Sequence, residues 1–412
     1  MRDNRGDERG RSAPLIGLYG GVTLFAVGEQ ALHVVVPPYL SQVHGLGEAA
    51  IGLVVAVFGL AALTMRLPVG ALFRYRRTVP LLLVGGGMVT MAFALVPFVA
   101  SAGAFGALMA VDGMGWALVT STQLTSLVGA RSSRMPLTVA MAWFSGAQGV
   151  GNTIGGVTGG FLADQLGFRG AFLVLAAIPA LATVLTVAGF VLLGSITPSV
   201  TVAPGSEKHD RPARALAVLK AMPAVVWGAV LLMFYINFVN GFVNTFHPIL
   251  ALAAGLTLTQ IGGLASCRSL ASSVVRIGSG VIFWKTRRRL NLTMPLALLS
   301  AAAMFAIPSV RSSFLWQVPL FALIGLSRGL IRITGSSDAF GGVEQDERQH
   351  GFTSALLNAG LDAGKVAGPV LGGMVAAGVG IAAAFRVVPL VLVGVYLALM
   401  LLSRRARLVA NP

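Results

Sequence analysis

A glycine pattern occurs twice in this chain, about 210 residues apart and both times inside apolar sequence: Gly151-Asn-Thr-Ile-Gly155-Gly156-Val-Thr-Gly159-Gly160, then Gly364-Lys-Val-Ala-Gly368-Pro369-Val-Leu-Gly372-Gly373. Small residues at every fourth position let two helix backbones approach closely. No strand precedes either copy, so neither reads as a dinucleotide-binding or phosphate-binding loop. A motif of this kind, repeated at such a distance, points to one bundle of helices built twice.

Composition places that bundle in a membrane. Hydrophobic residues make up 56% of the chain and charged residues 11%, against about 45–50% and about 25% in soluble domains, and the mean hydropathy is +0.83. No stretch is left for a soluble domain of ordinary size. A net charge of +16 would fit nucleic acid on a soluble surface, but here the basic residues cluster at the ends of apolar segments, where they report topology. The single cysteine, Cys267, excludes a disulfide framework and a thiolate metal site. The polar N-terminus runs into a long helix without a small-residue cleavage site, unlike a removed signal peptide. No cofactor or metal site is expected.

A membrane helix needs about 20 mostly apolar residues. About twelve segments qualify, near 14–40, 47–73, 78–100, 103–129, 134–164, 169–194, 217–250, 257–285, 290–309, 313–337, 350–377 and 380–403. Alternate connections carry the basic residues, among them Arg74/Arg76/Arg77, Arg131/Arg134, Lys208/Arg211/Arg214 and Lys285/Arg287/Arg288/Arg289. By the positive-inside rule both termini are cytoplasmic. The excess of Arg over Lys, which is found only at Lys208, Lys220, Lys285 and Lys365, points to a GC-rich bacterial genome and hence to the cytoplasmic membrane. The polar stretch 196–216 reads as a linker between six-helix bundles at 14–195 and 217–403, with short tails at 1–13 and 404–412. A second duplication supports that division: Arg66-Leu-Pro-Val-Gly70 ends the second span and Arg276-Ile-Gly-Ser-Gly280 ends the eighth.

Charged side chains at mid-bilayer are expensive and normally face a bundle interior or a wet cavity. The third, sixth and ninth spans have none, and the twelfth has only Arg386 near its outer end; these four helices are expected to face lipid. Glu29 and His33 share one face of the first span at i, i+4. Burial there disfavours a lone charge, the condition for proton exchange near neutral pH; a structural hydrogen-bonded pair is the alternative. Asp112 has Trp116 at i+4, an aromatic wall beside an acid that suits an amphipathic or cationic ligand, or else a helix-packing contact. Asn237, Asn240 and Asn244 form a stripe on the seventh span, extended by His247, that reads as cavity lining; Asn152 on the fifth is a weaker case. Asp362 and Lys365, at i, i+3, are expected to neutralise one another. Arg328 and Arg332 are like charges one turn apart and require anionic partners; with Arg268 they favour a substrate bearing a carboxylate or phosphate. Arg66 and Arg276 sit at inner helix ends as snorkelling or gating residues.

These motifs are similar to those of the major facilitator superfamily of secondary transporters. The loop after the second span keeps that family's leading glycine, Gly70, and its basic residues, without the aspartate. The fifth-span pattern associated with the family's exporters, Gly-x3-Gly-Pro-x2-Gly-Gly, is matched from Gly151 through Gly155 and Gly159, with Gly156 in place of proline. The eleventh span has the full form, Gly364, Gly368 and Pro369 included. The resemblance, nearest the drug and sugar efflux permeases, implies an all-α protein of two pseudo-symmetric bundles. It implies binding of a small molecule between them and proton-coupled export by alternating access. Glu29, Asp112 and Asp362 are the candidate proton carriers. His33, Trp116, Asn152, Asn237, Asn240, Asn244, Arg268 and Arg328 are candidates for the substrate cavity. One chain supplies both halves, so a functional monomer in the lipid bilayer is expected, without nucleic acid or catalytic residues. Symport uptake of an organic anion or sugar is the alternative, and a non-transporting sensor or intramembrane enzyme a remote one.

Overall fold

The computed structural model of the chain describes the backbone of residues 4–72, 77–130, 137–196, 222–285, 293–343 and 347–410. The linker expected at 196–216 lies almost wholly outside these residues, as do the side chains of both tails and the surroundings of Gly70. All regular structure among the described residues is helical. In chain order the helices are α1 (Asn4–Gln42), α2 (Glu48–Leu72), α3 (Thr78–Leu95) and α4 (Ala102–Ala130). The run Leu137–Ile196 breaks at Gly167 and supplies α5 before it and α6 after it. The second half has α7 (Ala224–Ala253), α8 (Leu258–Lys285), α9 (Thr293–Ala306), α10 (Phe314–Gly341), α11 (Glu347–Val379) and α12 (Ile381–Ala410).

Eight described segments are long and apolar enough to cross a membrane, and one of them, Trp143–Leu192, has the length for two crossings. α8 and α11 fall outside that set and carry buried or half-buried charges, Arg268 and Arg276 on one, Asp362 and Lys365 on the other.

The duplication is legible in the turns. Among the described residues four glycines have positive φ, Gly45, Gly167, Gly255 and Gly380, at 61°, 67°, 92° and 82°. Gly45 and Gly255 reverse the chain between α1 and α2 and between α7 and α8, 210 positions apart, the spacing that separates Arg66 from Arg276. Gly167 and Gly380 do the same before α6 and α12, 213 positions apart, the spacing of the glycine motifs. A left-handed backbone strains any residue with a Cβ, so glycine is retained at both copies of each turn.

The glycine motifs do the same packing work twice. On α5, a Cβ at Gly151, Gly155 or Gly159 would strike the α1 backbone at Thr23, Val27 and Ala31. On α11, a Cβ at Gly364 or Gly368 would strike α7 at Phe234 and Phe238. Each motif also has a second face directed at the other half: Gly156 meets Gly262 on α8, while Gly52 on α2 meets Pro369 on α11. Without side chains in the way the backbones come together, and dispersion rather than the hydrophobic effect holds helices in lipid. α5 with α8, and α2 with α11, are thereby the seams between the halves.

Large apolar side chains are exposed on α3 (Leu83, Met91), α6 (Leu181, Val184), α9 (Leu298, Phe305) and α12 (Leu390, Val391). They are equally exposed on α2 (Leu53, Leu60), α5 (Ile154, Phe161), α8 (Leu270, Val274) and α11 (Leu371, Met374), so outer apolar surface alone does not set the four helices apart.

Candidate functional site

Between the halves lies a cavity of about 430 Å³ whose lining comes from α1, α2, α4, α5, α7, α8, α10 and α11. Among the described residues none of the lining comes from α3, α6, α9 or α12. Its outermost positions, Val22, Leu124, Phe144, Arg276, Arg332 and Asn358, lie toward the end of the bundle with the basic connections. Its deepest, His33, Val55, Thr245 and Pro369, lie about two to three turns short of the opposite ends of α1, α2, α7 and α11. Beyond them the seams close. Asp164, near the far end of α5, accepts hydrogen bonds from the backbone N–H of Leu258 (3.1 Å) and Thr259 (2.7 Å) and from the Thr259 hydroxyl (2.6 Å), capping α8 across the interface. Ser266 reinforces the seam, donating to the Thr153 carbonyl and accepting from the N–H of Val157 at 3.0 Å.

The N-terminal half contributes acids and rings. Glu29 lines the cavity at 6% exposure, with His33 Nε2 3.5 Å from one of its oxygens, yet neither carboxylate oxygen has a hydrogen-bond partner. Asp112 is fully buried, and its two oxygens are equally without partners. It stands behind the lining rather than in it, so Trp116, which does line the cavity, is not a wall beside a ligand-facing acid. The ring of Phe58 packs against both His33 and Trp116, with centroids 5.1 and 5.9 Å away.

The C-terminal half contributes cations and amides. Asn237, Asn240 and Asn244 line the cavity, as does Asn152 opposite them. Asn237 accepts from the Arg328 guanidinium at 3.2 Å and donates to the Leu361 carbonyl at 2.9 Å. Asn244 accepts from Arg268, which is 2% exposed and does not reach the cavity wall; its Nε and Nη1 stay unpaired. His247 leaves the polar stripe and binds Gln317 at 2.6 Å within the half.

Asp362 and Lys365 do not neutralise one another. Asp362 forms an ion pair with Arg66 at 3.0 Å, joining α11 to α2 across the seam. Lys365 has no carboxylate oxygen within 4.0 Å among the described residues. Its Nζ stands 4.2 Å from the centre of the Phe58 ring and 4.7 Å from that of Trp116. Residues three apart on a helix diverge enough that each meets what the opposite helix offers. Arg276, the repeat of Arg66, also crosses its seam, donating to the Ser145 hydroxyl at 3.1 Å.

A sequence model of the Major Facilitator Superfamily matches residues 18–342. The chain belongs to the major facilitator superfamily. Two solved structures support the fold. One is a bacterial homologue of the human lysosomal transporter Spinster in an inward-facing, unoccupied conformation, at TM-score 0.73 and 13% identity, covering 96% of this chain and 97% of that one. The other is the nucleoside transporter NupG, at TM-score 0.71 and 12% identity, covering 94% and 99%. No curated protein matches by sequence. Membership makes the protein a membrane transporter and not an enzyme.

Two features of this superfamily member escape sequence reasoning. Asp164 carries no signal beyond being an acid near the outer end of a span, since its partners lie 94 and 95 residues away. The seat of Lys365 on Phe58 and Trp116 joins α11, α2 and α4, which no helical spacing relates.

Proposed function

We propose that this transporter is proton-coupled and exports a small amphipathic organic compound by alternating access, acting as a monomer in the cytoplasmic membrane with both termini in the cytoplasm. The arrangement of Glu29 and Asp112 carries the reading. Two carboxyl groups, shielded from water and without hydrogen-bond partners, lie within electrostatic reach of each other and of Lys365. At such a place gain or loss of a proton changes the local electrostatic energy, because burial and nearby charges act on the ionised form. Glu29 touches the cavity and Asp112 sits behind it, so Glu29 exchanges with the aqueous path and Asp112 responds to its charge. With the basic connections in the cytoplasm, the cavity is open inward, where an exporter loads. The fifth-span glycines favour export, through the family resemblance alone.

The cationic lining favours a second reading, uptake of an organic anion by proton symport. The two differ in charge moved. Exchange of a monoanion outward for a proton inward carries two charges, roughly 4.6 kcal/mol at 100 mV, whereas symport of the pair carries none.

The test is proton movement in inside-out vesicles energised to an acid interior and challenged with amphipathic compounds. Compound-dependent release of luminal protons, abolished in Glu29→Gln or Asp112→Asn, is expected. Normal release in both variants removes the proposed proton site, and compound-driven acidification instead moves the assignment to symport.

A further inference from the structure

We infer that Arg328 and Arg332 form the receptor for an anionic head group, so that the substrate is an amphiphile bearing a carboxylate or phosphate. The inference rests on the central cavity being the transport site, whichever direction transport takes.

Among the described residues five basic side chains line the cavity: Arg66, Arg276, Arg328, Arg332 and Lys365. The lining acids are Glu29 and Asp362. Asp362 is committed to Arg66 at 3.0 Å, Arg276 to serine oxygens on α5 and α8, and Lys365 to two aromatic faces. What remains is the pair on α10. Arg328 spends one of its five N–H donors on Asn237, which is itself fastened to the α11 backbone, so the guanidinium is held in place with donors to spare. Arg332, one turn along, lies within electrostatic reach of Asp362 but makes no hydrogen bond and no ion pair within 4.0 Å among the described residues, Asp362 being bound to Arg66. Two guanidinium groups on one face repel, and holding them together in a half-buried wall costs free energy that an anion between them returns. Their planar forks suit the oxygens of carboxylates and phosphates.

The opposite wall carries large apolar and aromatic side chains, Phe25, Phe144 and Trp116, interleaved with polar ones such as Gln148 and Asn152. A head group on α10 therefore leaves its apolar body against the N-terminal half. One ligand touches both halves, as a substrate that triggers rocking must. The volume of about 430 Å³ falls in the range of small-molecule sites.

The experiment is equilibrium binding to the purified full-length protein in neutral detergent, read by thermal shift and tryptophan fluorescence. The probes are benzoate, naphthoate and a medium-chain alkyl phosphate, each beside its neutral isostere (amide or alcohol) and its amine, and a lysophosphatidate. At least one anion is expected to bind about tenfold tighter than its neutral isostere. That preference should vanish in Arg328→Gln and Arg332→Gln and persist in Arg332→Lys, with all variants monodisperse. Preference for lysophosphatidate over every free anion, lost in the same variants, assigns the receptor to a lipid head group. Equal binding of anions and isosteres, a preference unchanged in both Gln variants, or no binding by any anion overturns it. No gradient is involved, so failure of proton coupling leaves this result standing, and the converse holds.

Discussion

Lys365 of the C-terminal half rests its ammonium group on Phe58 and Trp116 of the N-terminal half, 4.2 and 4.7 Å from the ring centres, while Asp362, three residues before it, faces Arg66 instead. Glu29 lines the same cavity and Asp112 lies buried behind it, and Lys365 feels the charge of both. A cation over two ring faces holds about 0.5–2 kcal/mol, enough to bias which way the halves rock without locking them. Lys365→Met is expected to slow substrate-driven proton flux in proteoliposomes by about 2- to 30-fold. Lys365→Arg, which keeps a cation able to stack on rings, should retain most of the flux. Equal loss in both variants would show that the ammonium has some other role than its seat.

The ion pair between Arg66 and Asp362 joins α2 to α11. The pseudo-symmetric position is built differently: Arg276 repeats Arg66, but the motif register places Gly149 where Asp362 would be, and Arg276 bonds Ser145. The two seams are therefore fastened differently. Removing either charge of the pair leaves a partly buried partner, so Arg66→Gln and Asp362→Asn should each lower thermal stability, by about 1 kcal/mol or more. The exchange of the two residues should recover most of the loss. A double-mutant cycle on detergent-solubilised protein measures it, and a coupling energy near zero would make the contact incidental.

Asp164 supplies the complementary asymmetry. It caps α8 across the far end of one seam, whereas the register puts Ala377, which has no acceptor side chain, at the matching place on α11. Loss of a helix cap costs about 0.5–2 kcal/mol, and here the cap exists only while the far end is closed. Asp164→Ala should shift the closed-to-open population at the far end by about 2- to 30-fold. Spin labels placed at the far ends of α5 and α8 would report it as a longer-distance population. An unchanged distance distribution would reduce Asp164 to a local cap.

Much of this architecture is visible in the chain itself because hydropathy, charge placement and glycine spacing are local signals. That α3, α6, α9 and α12 give no described residue to the cavity follows from where charges are missing, and the two halves follow from paired motifs. The polar residues Glu29, Asn152, Asn237, Asn240, Asn244 and Arg328 do meet in one cavity. Pairing is less legible. Sequence proximity joins Asp362 to Lys365 and places Arg268 in the wall, but partners are set by what the facing helix presents, and Arg268 turns behind Asn244. Asp112 and Trp116 share a helical face, yet the closeness of Gly113 to the α2 backbone at Phe58 holds that part of α4 against α2 and buries the acid.

The two faces of the glycine motif separate stability from transport. Gly155 and Gly368 pack within their own halves, against Val27 and Phe238, so a methyl group at either pries apart helices that never need to separate. Overpacking of this kind costs about 1–3 kcal/mol. Gly155→Ala and Gly368→Ala should therefore lower the melting temperature by similar amounts, the equivalence being a consequence of the duplication. Gly156 faces the other half: a Cβ there would sit 2.7 Å from the Gly262 carbonyl oxygen on α8. A methyl group at Gly156 wedges a seam that must slide, without disturbing either bundle. Gly156→Ala should keep melting near the parent value and change the transport rate, whereas Gly155→Ala and Gly368→Ala should do the reverse. If all three variants melt early by the same amount, the seam between α5 and α8 belongs to the rigid core, and rocking must occur elsewhere.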